Sequence, residues 1–200
     1  MSTEPSALEA RQMAGFKDFY QYVDHTRVIA GRGLLESVGF EFMKEGANRV
    51  FVVTDEVIRA TGLIDKVQAG VEDGGLEVAG IFDGVPQDSS THVVEECAAA
   101  ANDAGADSFL AVGGGSVMDT AKVADAVFTN GGTAREQEGF FLMPRGNDGM
   151  GAPEPIAPLA CIPTTAGTGS EVSMAAVIGS KLHDDREIEL SPGPPLRWRA

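Results

Sequence analysis

Two short segments carry residue types suited to holding a phosphorylated ligand. The first is Val112-Gly113-Gly114-Gly115-Ser116-Val117-Met118-Asp119-Thr120-Ala121-Lys122, and the second is Pro163-Thr164-Thr165-Ala166-Gly167-Thr168-Gly169-Ser170-Glu171. Glycine lacks a Cβ, so its backbone can approach a phosphate closely and can adopt positive φ. Amides at the start of a helix then meet an anion with the helix dipole behind them. Ser116 followed by Asp119 predicts a reciprocal pairing at that helix start, although Glu or Gln is the usual partner. Taken alone, the glycine run also reads as a tight strand-to-helix turn with no ligand. The second segment offers four hydroxyl side chains (Thr164, Thr165, Thr168, Ser170) and two glycines, more hydroxyls than a capped turn requires. Neither segment matches G-x-G-x-x-G or the P-loop, so neither fingerprint is claimed.

Each segment follows an apolar run of strand length, Ser108–Val112 and Pro158–Ile162. Two such loops at strand ends of one sheet could grip opposite sides of a dinucleotide. Asp55 closes a third run, Val50–Thr54. An acidic side chain there can accept hydrogen bonds from a ribose 2′-hydroxyl and would repel a 2′-phosphate. Asp55 reads equally well as the cap of a helix beginning near Val57. His25, His92 and His183 are scattered, and they predict no metal cluster. Cys97 and Cys161 have no metal or redox spacing and read as buried reduced thiols.

The elements that must position these residues alternate along the chain. Leu34, Leu35, Val38, Phe42 and Met43 recur at helical spacing, closed by Gly46. The strand Val50–Thr54 comes next. Helical signals run from Val57 to Val71 with a break near Gly62, and Leu76–Phe82 reads as a strand. Ser89-Ser90-Thr91 predicts a cap for a helix from His92 to Ala104, and Ser116–Phe128 predicts another helix. Asn130–Pro155 is polar and rich in Gly and Pro, a surface excursion near the site. This alternation predicts an α/β fold, a mostly parallel sheet with flanking helices. The strands show little polar alternation, as expected of a sheet covered on both faces. Three regions are expected: a lead-in (1–18), a Rossmann-like dinucleotide-binding domain (19–180) and a Pro- and Arg-rich tail (181–200) that looks truncated or aberrant.

Composition narrows the function classes. The chain has 200 residues, 43% of them hydrophobic, and a net charge of −15. Such acidity argues against nucleic acid and against anionic membrane surfaces. No apolar stretch approaches the roughly 18 residues that span a bilayer, and the acidic N-terminus lacks a signal-peptide layout. A cytoplasmic location is the default expectation. The acidity fits a salt-adapted surface or an acidic enzyme from a GC-rich genome, two readings that stand side by side.

Together the two motifs resemble those of the iron-containing (group III) alcohol dehydrogenase family. Val53-Thr54-Asp55 with Gly62-Leu63, and Asp83-Gly84-Val85-Pro86-Gln87-Asp88-Ser89-Ser90, are similar to further family segments, and the resemblance covers roughly residues 25 to 178. It implies an N-terminal Rossmann-like domain followed by a helical domain, which this chain largely lacks. By the same resemblance Gly114, Gly115 and Ser116 would hold the pyrophosphate, and Thr164, Thr165 and Thr168 would line the cofactor. Asp55 would favour NAD over NADP. Asp88, at the family's frequent Asn position, and Asp119, within the matched motif, complete the candidate cofactor-binding set. The implied substrate is a small alcohol or carbonyl compound, and dimers are common among relatives. Family members also bind Fe²⁺ or Zn²⁺ through an Asp and three His that would lie beyond residue 190, and this chain does not supply them. No catalytic residue is assigned. The expected function is NAD- and metal-dependent alcohol dehydrogenation in a truncated form. The alternatives are a catalytically silent nucleotide-binding fragment and a metal-dependent dehydroquinate synthase-like lyase.

Overall fold

The computed structural model describes residues 26–137, 157–173, 175–179 and 187–190. The lead-in 1–18, His25, His183, most of the excursion after Asn130 and the residues beyond Leu190 lie outside them. Four parallel strands form the main sheet: β1 (Arg49–Val53), β2 (Glu77–Phe82), β3 (Ser108–Gly113) and β4 (Leu159–Pro163), in the spatial order β2-β1-β3-β4. Among the described residues five α-helices accompany them: α1 (Val38–Lys44), α2 (Glu56–Ala60), α3 (Leu63–Asp73), α4 (Thr91–Asp103) and α5 (Gly115–Asn130). The expected α/β architecture is the one observed.

Side chains in a strand alternate between faces, so each inner strand feeds two cores. Phe51, Val53, Phe109 and Ala111 pack with Val94 and Cys97 of α4 and Met118 and Ala121 of α5. Val50, Val52, Leu110 and Val112 pack instead with Phe42 of α1 and Ile64, Val67 and Val71 of α3. Phe109 meets Phe51 and Phe128 edge-to-face, with centroids 5.8 and 5.3 Å apart. Full burial of one such side chain stabilises by roughly 1.5–3 kcal/mol. This two-sided burial is why β1 and β3 read as continuous apolar runs rather than alternating ones.

The predicted helical break falls at Gly62, which adopts φ 75° between α2 and α3. Ser90 is the N-cap residue of α4, yet its hydroxyl makes no capping bond, contrary to the expected cap. Instead the neighbouring Ser89 hydroxyl accepts a buried 2.6 Å hydrogen bond from Thr120 Oγ1, which ties the start of α4 to α5.

A two-stranded antiparallel pair, β5 (Ala176–Gly179) with β6 (Glu187–Leu190), was not anticipated from sequence. Its strands are four residues long, too short for a periodicity signal. Gly179 N donates to Ser89 O at 2.8 Å, fixing β5 to the main body. No helix among the described residues is long and apolar enough to cross a membrane.

Candidate functional site

The strand order reverses direction between β1 and β3: the chain passes from β1 outward to β2, then returns to β3 and β4 on the other side. Open parallel sheets place ligands in the crevice beyond the carboxyl ends of the strands at such a switch point. Register brings those ends level, with Val53 opposite both Phe82 and Ala111, and Gly113 opposite Pro163. A cavity of about 710 Å³ opens there, within the range of roughly 300–1,000 Å³ common for small-molecule sites.

Six of the residues expected from sequence line this cavity: Asp55, Gly114, Gly115, Ser116, Thr164 and Thr165. The first loop meets the second directly. Thr164 N donates to Gly113 O at 2.9 Å, and a Cβ added at Gly114 would sit 3.2 Å from Thr165 Oγ1. At Gly113 the requirement is internal, because a Cβ would lie 2.6 Å from Cγ2 of Val117. None of Gly113, Gly114 and Gly115 has positive φ, so conformational freedom is not why they are glycine. Close packing is the reason at Gly113 and Gly114, whereas a Cβ at Gly115 would make only an ordinary contact with Thr168, at 3.7 Å.

The helix start also differs from expectation. α5 begins at Gly115 with Gly114 as N-cap residue and no side-chain cap, so the predicted Ser116–Asp119 pairing is not made. The first-turn amides of a helix have no intrahelical acceptor. Here they open on the cavity beside Ser116 and Val117, which both line it.

Asp119 does not line the cavity, and its carboxylate is taken up by the protein itself. Oδ1 accepts from Ser170 Oγ and, at 3.2 Å, from Lys122 Nζ, while Oδ2 accepts from Val177 N at 3.0 Å. Lys122 is buried and donates further to Ser170 Oγ and Ala175 O, both at 2.9 Å. A buried ammonium needs such partners because desolvation strongly disfavours an unpaired charge. The Asp119–Lys122 pair therefore clamps the threonine loop and β5 onto α5. Sequence spacing could not show this, since Ser170 and Ala175 arrive from the connection between β4 and β5. The one available signal was a Lys one turn after an Asp on a largely apolar helix.

Thr168 is also turned to internal use: its hydroxyl donates to Glu171 Oε2 at 3.0 Å and accepts from Ser170 N at 3.3 Å. Asp88 is exposed, has φ 55° and lies outside the cavity wall, where its neighbour Gln87 stands instead. Asp55 does what one of its two readings required, accepting from Ile58 N at 2.8 Å as N-cap of α2. It lines the cavity as well. Missed in the sequence were Glu56, Asp83 and Gln87 on the wall. The rule that all strand ends of a parallel sheet face the crevice would have found Asp83, the residue after β2.

Asp125 and the two cysteines stand apart from the cavity. Asp125 is fully buried; Oδ1 accepts from Ala157 N at 3.1 Å and Thr129 Oγ1 at 3.2 Å, and Oδ2 has no partner among the described residues. Burial holds its carboxyl well above the usual carboxylate range. Both cysteines are free, as expected. Desolvation pushes the buried Cys97 thiol and the partly buried Cys161 thiol up to about 12, which suppresses reactive thiolate.

Comparison with known proteins agrees with this geometry. A model of the iron-containing alcohol dehydrogenases matches residues 25–192. The chain belongs to that family. It is 34% identical over 150 residues to an NAD-dependent methanol dehydrogenase of Bacillus methanolicus, covering 75% of this chain and 37% of that protein. It is 32% identical over 186 residues to a choline dehydrogenase of Bacillus subtilis (strain 168), covering 92% and 44%. A solved 1,3-propanediol oxidoreductase superposes with a TM-score of 0.74 at 25% identity, covering 86% of this chain and 43% of that one. The chain thus spans less than half the length of the relatives it matches. As a member of the iron-containing alcohol dehydrogenase family it is related to oxidoreductases.

The divalent ion implied by the family has no seat in the described residues. Among them no group of three or more His, Cys, Asp or Glu side chains could hold a metal. His92 pairs with Glu96 at 3.2 Å on the exposed face of α4. The described residues do not fit a metal centre.

Proposed function

We propose that this chain forms the cofactor-holding part of an NAD-dependent alcohol dehydrogenase acting on a small alcohol or carbonyl compound. One observation carries the reading. One cavity at the switch point is lined by an uncapped helix N-terminus, by Gly115 and by Gly114, where a Cβ would press on Thr165, and by Asp55. The amides at the start of α5 would take the pyrophosphate, with Ser116 beside them. Thr164 and Thr165 would contact the cofactor from the β4 side. Asp55 would accept from a ribose 2′-hydroxyl while keeping its capping bond, which favours NAD over NADP. NAD, when bound, accepts hydride from the alcohol carbon or returns it to the carbonyl carbon. The protein's share is to bind and orient it.

A second reading, a nucleotide-binding polypeptide without turnover, is favoured by the lack of a metal ligand set among the described residues. NADH fluorescence titration followed by turnover assays on simple primary alcohols, with and without Fe²⁺ or Zn²⁺, separates the two. Saturable NADH binding with metal-dependent turnover is expected for the dehydrogenase. Binding without turnover under every metal condition supports the second reading, and absence of NADH binding overturns both.

A further inference from the structure

We propose that Asp83 and Arg59 together form a second determinant of dinucleotide choice, at the end of the cavity where Asp55 lies. The proposal rests on the reading of that cavity as a dinucleotide seat. β1 and β2 are neighbours in the sheet and end side by side, with Thr54 N donating to Phe82 O at 2.8 Å and Asp55 bridged to Gly84. Asp55, Glu56 and Asp83 therefore line one corner of the cavity with carboxyl groups. Arg59 stands one helical turn from Asp55, its amide donating to Asp55 O at 3.0 Å. Its guanidinium is held by Asp83, with Nη1 2.8 Å from Oδ2.

This arrangement opposes a 2′-phosphate twice over. The Asp83 carboxylate adds negative charge to the corner that a dianionic phosphate would enter. It also occupies a cation that could otherwise pair with that phosphate, since guanidinium and phosphate oxygens match in charge and geometry. Asp55 is a costly position to alter, because its carboxylate also caps α2. Asp83 is not so committed. The pair is 48% and 40% exposed, so breaking it does little to the fold. Dinucleotide preference can thus be reset at Asp83 without touching the helix start that Asp55 maintains.

The test measures dissociation constants of NADH and NADPH by fluorescence titration for the wild type, Asp83→Asn, Arg59→Met and the double variant. Asp83→Asn is expected to lower the ratio Kd(NADPH)/Kd(NADH) about tenfold, mainly by tightening NADPH. Arg59→Met alone, which bares the Asp83 carboxylate, is expected to raise the ratio. In the double variant the gain from Asp83→Asn should fall back by at least about threefold, and all shifts should shrink at high salt. A ratio within about twofold of wild type in both single variants overturns the proposal. So does a gain in Asp83→Asn that survives removal of Arg59. The Arg59→Met measurement decides the matter if Asp83→Asn fails to fold. A wild-type chain that binds neither dinucleotide refutes the reading of the cavity itself.

Discussion

At the β3–β4 end of the cavity polar side chains are consumed by one another in a buried network, whereas at the β1–β2 end they stand as an exposed ion pair. Lys122, Asp119 and Ser170 fix the threonine loop to α5 from beneath, so Thr164 and Thr165 face the cavity from a braced backbone. Arg59 and Asp83 brace little. One end supplies geometry, where a misplacement is expensive. The other supplies charge, which can change with small consequence for folding. Affinity should therefore be sensitive at the first end and selectivity at the second.

The sharpest way to break that contrast is Lys122→Met. It leaves the Asp119 carboxylate without its cation, and loss of one partner of a buried pair costs about 3 kcal/mol. Urea denaturation checks the loss, and hydrogen exchange should rise first in residues 164–173. An unchanged midpoint would remove the distinction between the two ends. Gly114→Val comes next: its branched side chain would press on Thr165 and fill the space above α5. Calorimetry should show NAD affinity lowered by about a hundredfold, the order expected when a close backbone approach is blocked. Asp55→Gly should relax discrimination against NADP by about tenfold and lower stability by only roughly 0.3 kcal/mol, because glycine is itself tolerated at an N-cap. A preference ratio that stays put would confine Asp55 to capping.

The smallest effect at the site is expected from Asp125, which lies apart from both ends. Its carboxyl is raised by burial, so the native state favours the protonated form. The stability tied to that proton is complete below the unfolded carboxyl value of about 3.9 and is lost as pH rises through the raised native value. Asp125→Asn cannot ionise. Its stability relative to wild type should improve steadily from pH 4 toward neutrality, with NAD affinity unchanged. Parallel stability curves for the two proteins across that range would contradict the assignment.

Much of this fold was legible because the sheet is buried on both sides. Runs such as Val50–Val53 and Phe109–Val112 have no solvent face to blur them, and Gly62 marks the helix break directly. The cavity residues after β3 and β4, and Asp55 after β1, were legible for the same reason, whereas Asp83 after β2 was not. What stayed hidden depended on contacts between distant segments. Nothing near Asp119 announces that Ser170 and Val177 will arrive beside it, and Ser116 is too close in sequence to be dismissed as its partner. Ser90 looked like a capping hydroxyl, but Ser89 is the one engaged, from Thr120 of another helix. Four-residue strands such as β5 carry too few alternations to stand out.

The central claim is that the start of α5 and the threonine loop jointly seat a dinucleotide pyrophosphate. Amide chemical-shift mapping by NMR during titration with NAD⁺ tests it most directly. Large, saturable shifts are expected at Gly114, Gly115, Ser116 and Val117, with accompanying shifts at Thr164 and Thr165. Saturable binding that leaves those amides unmoved while perturbing another surface would contradict it.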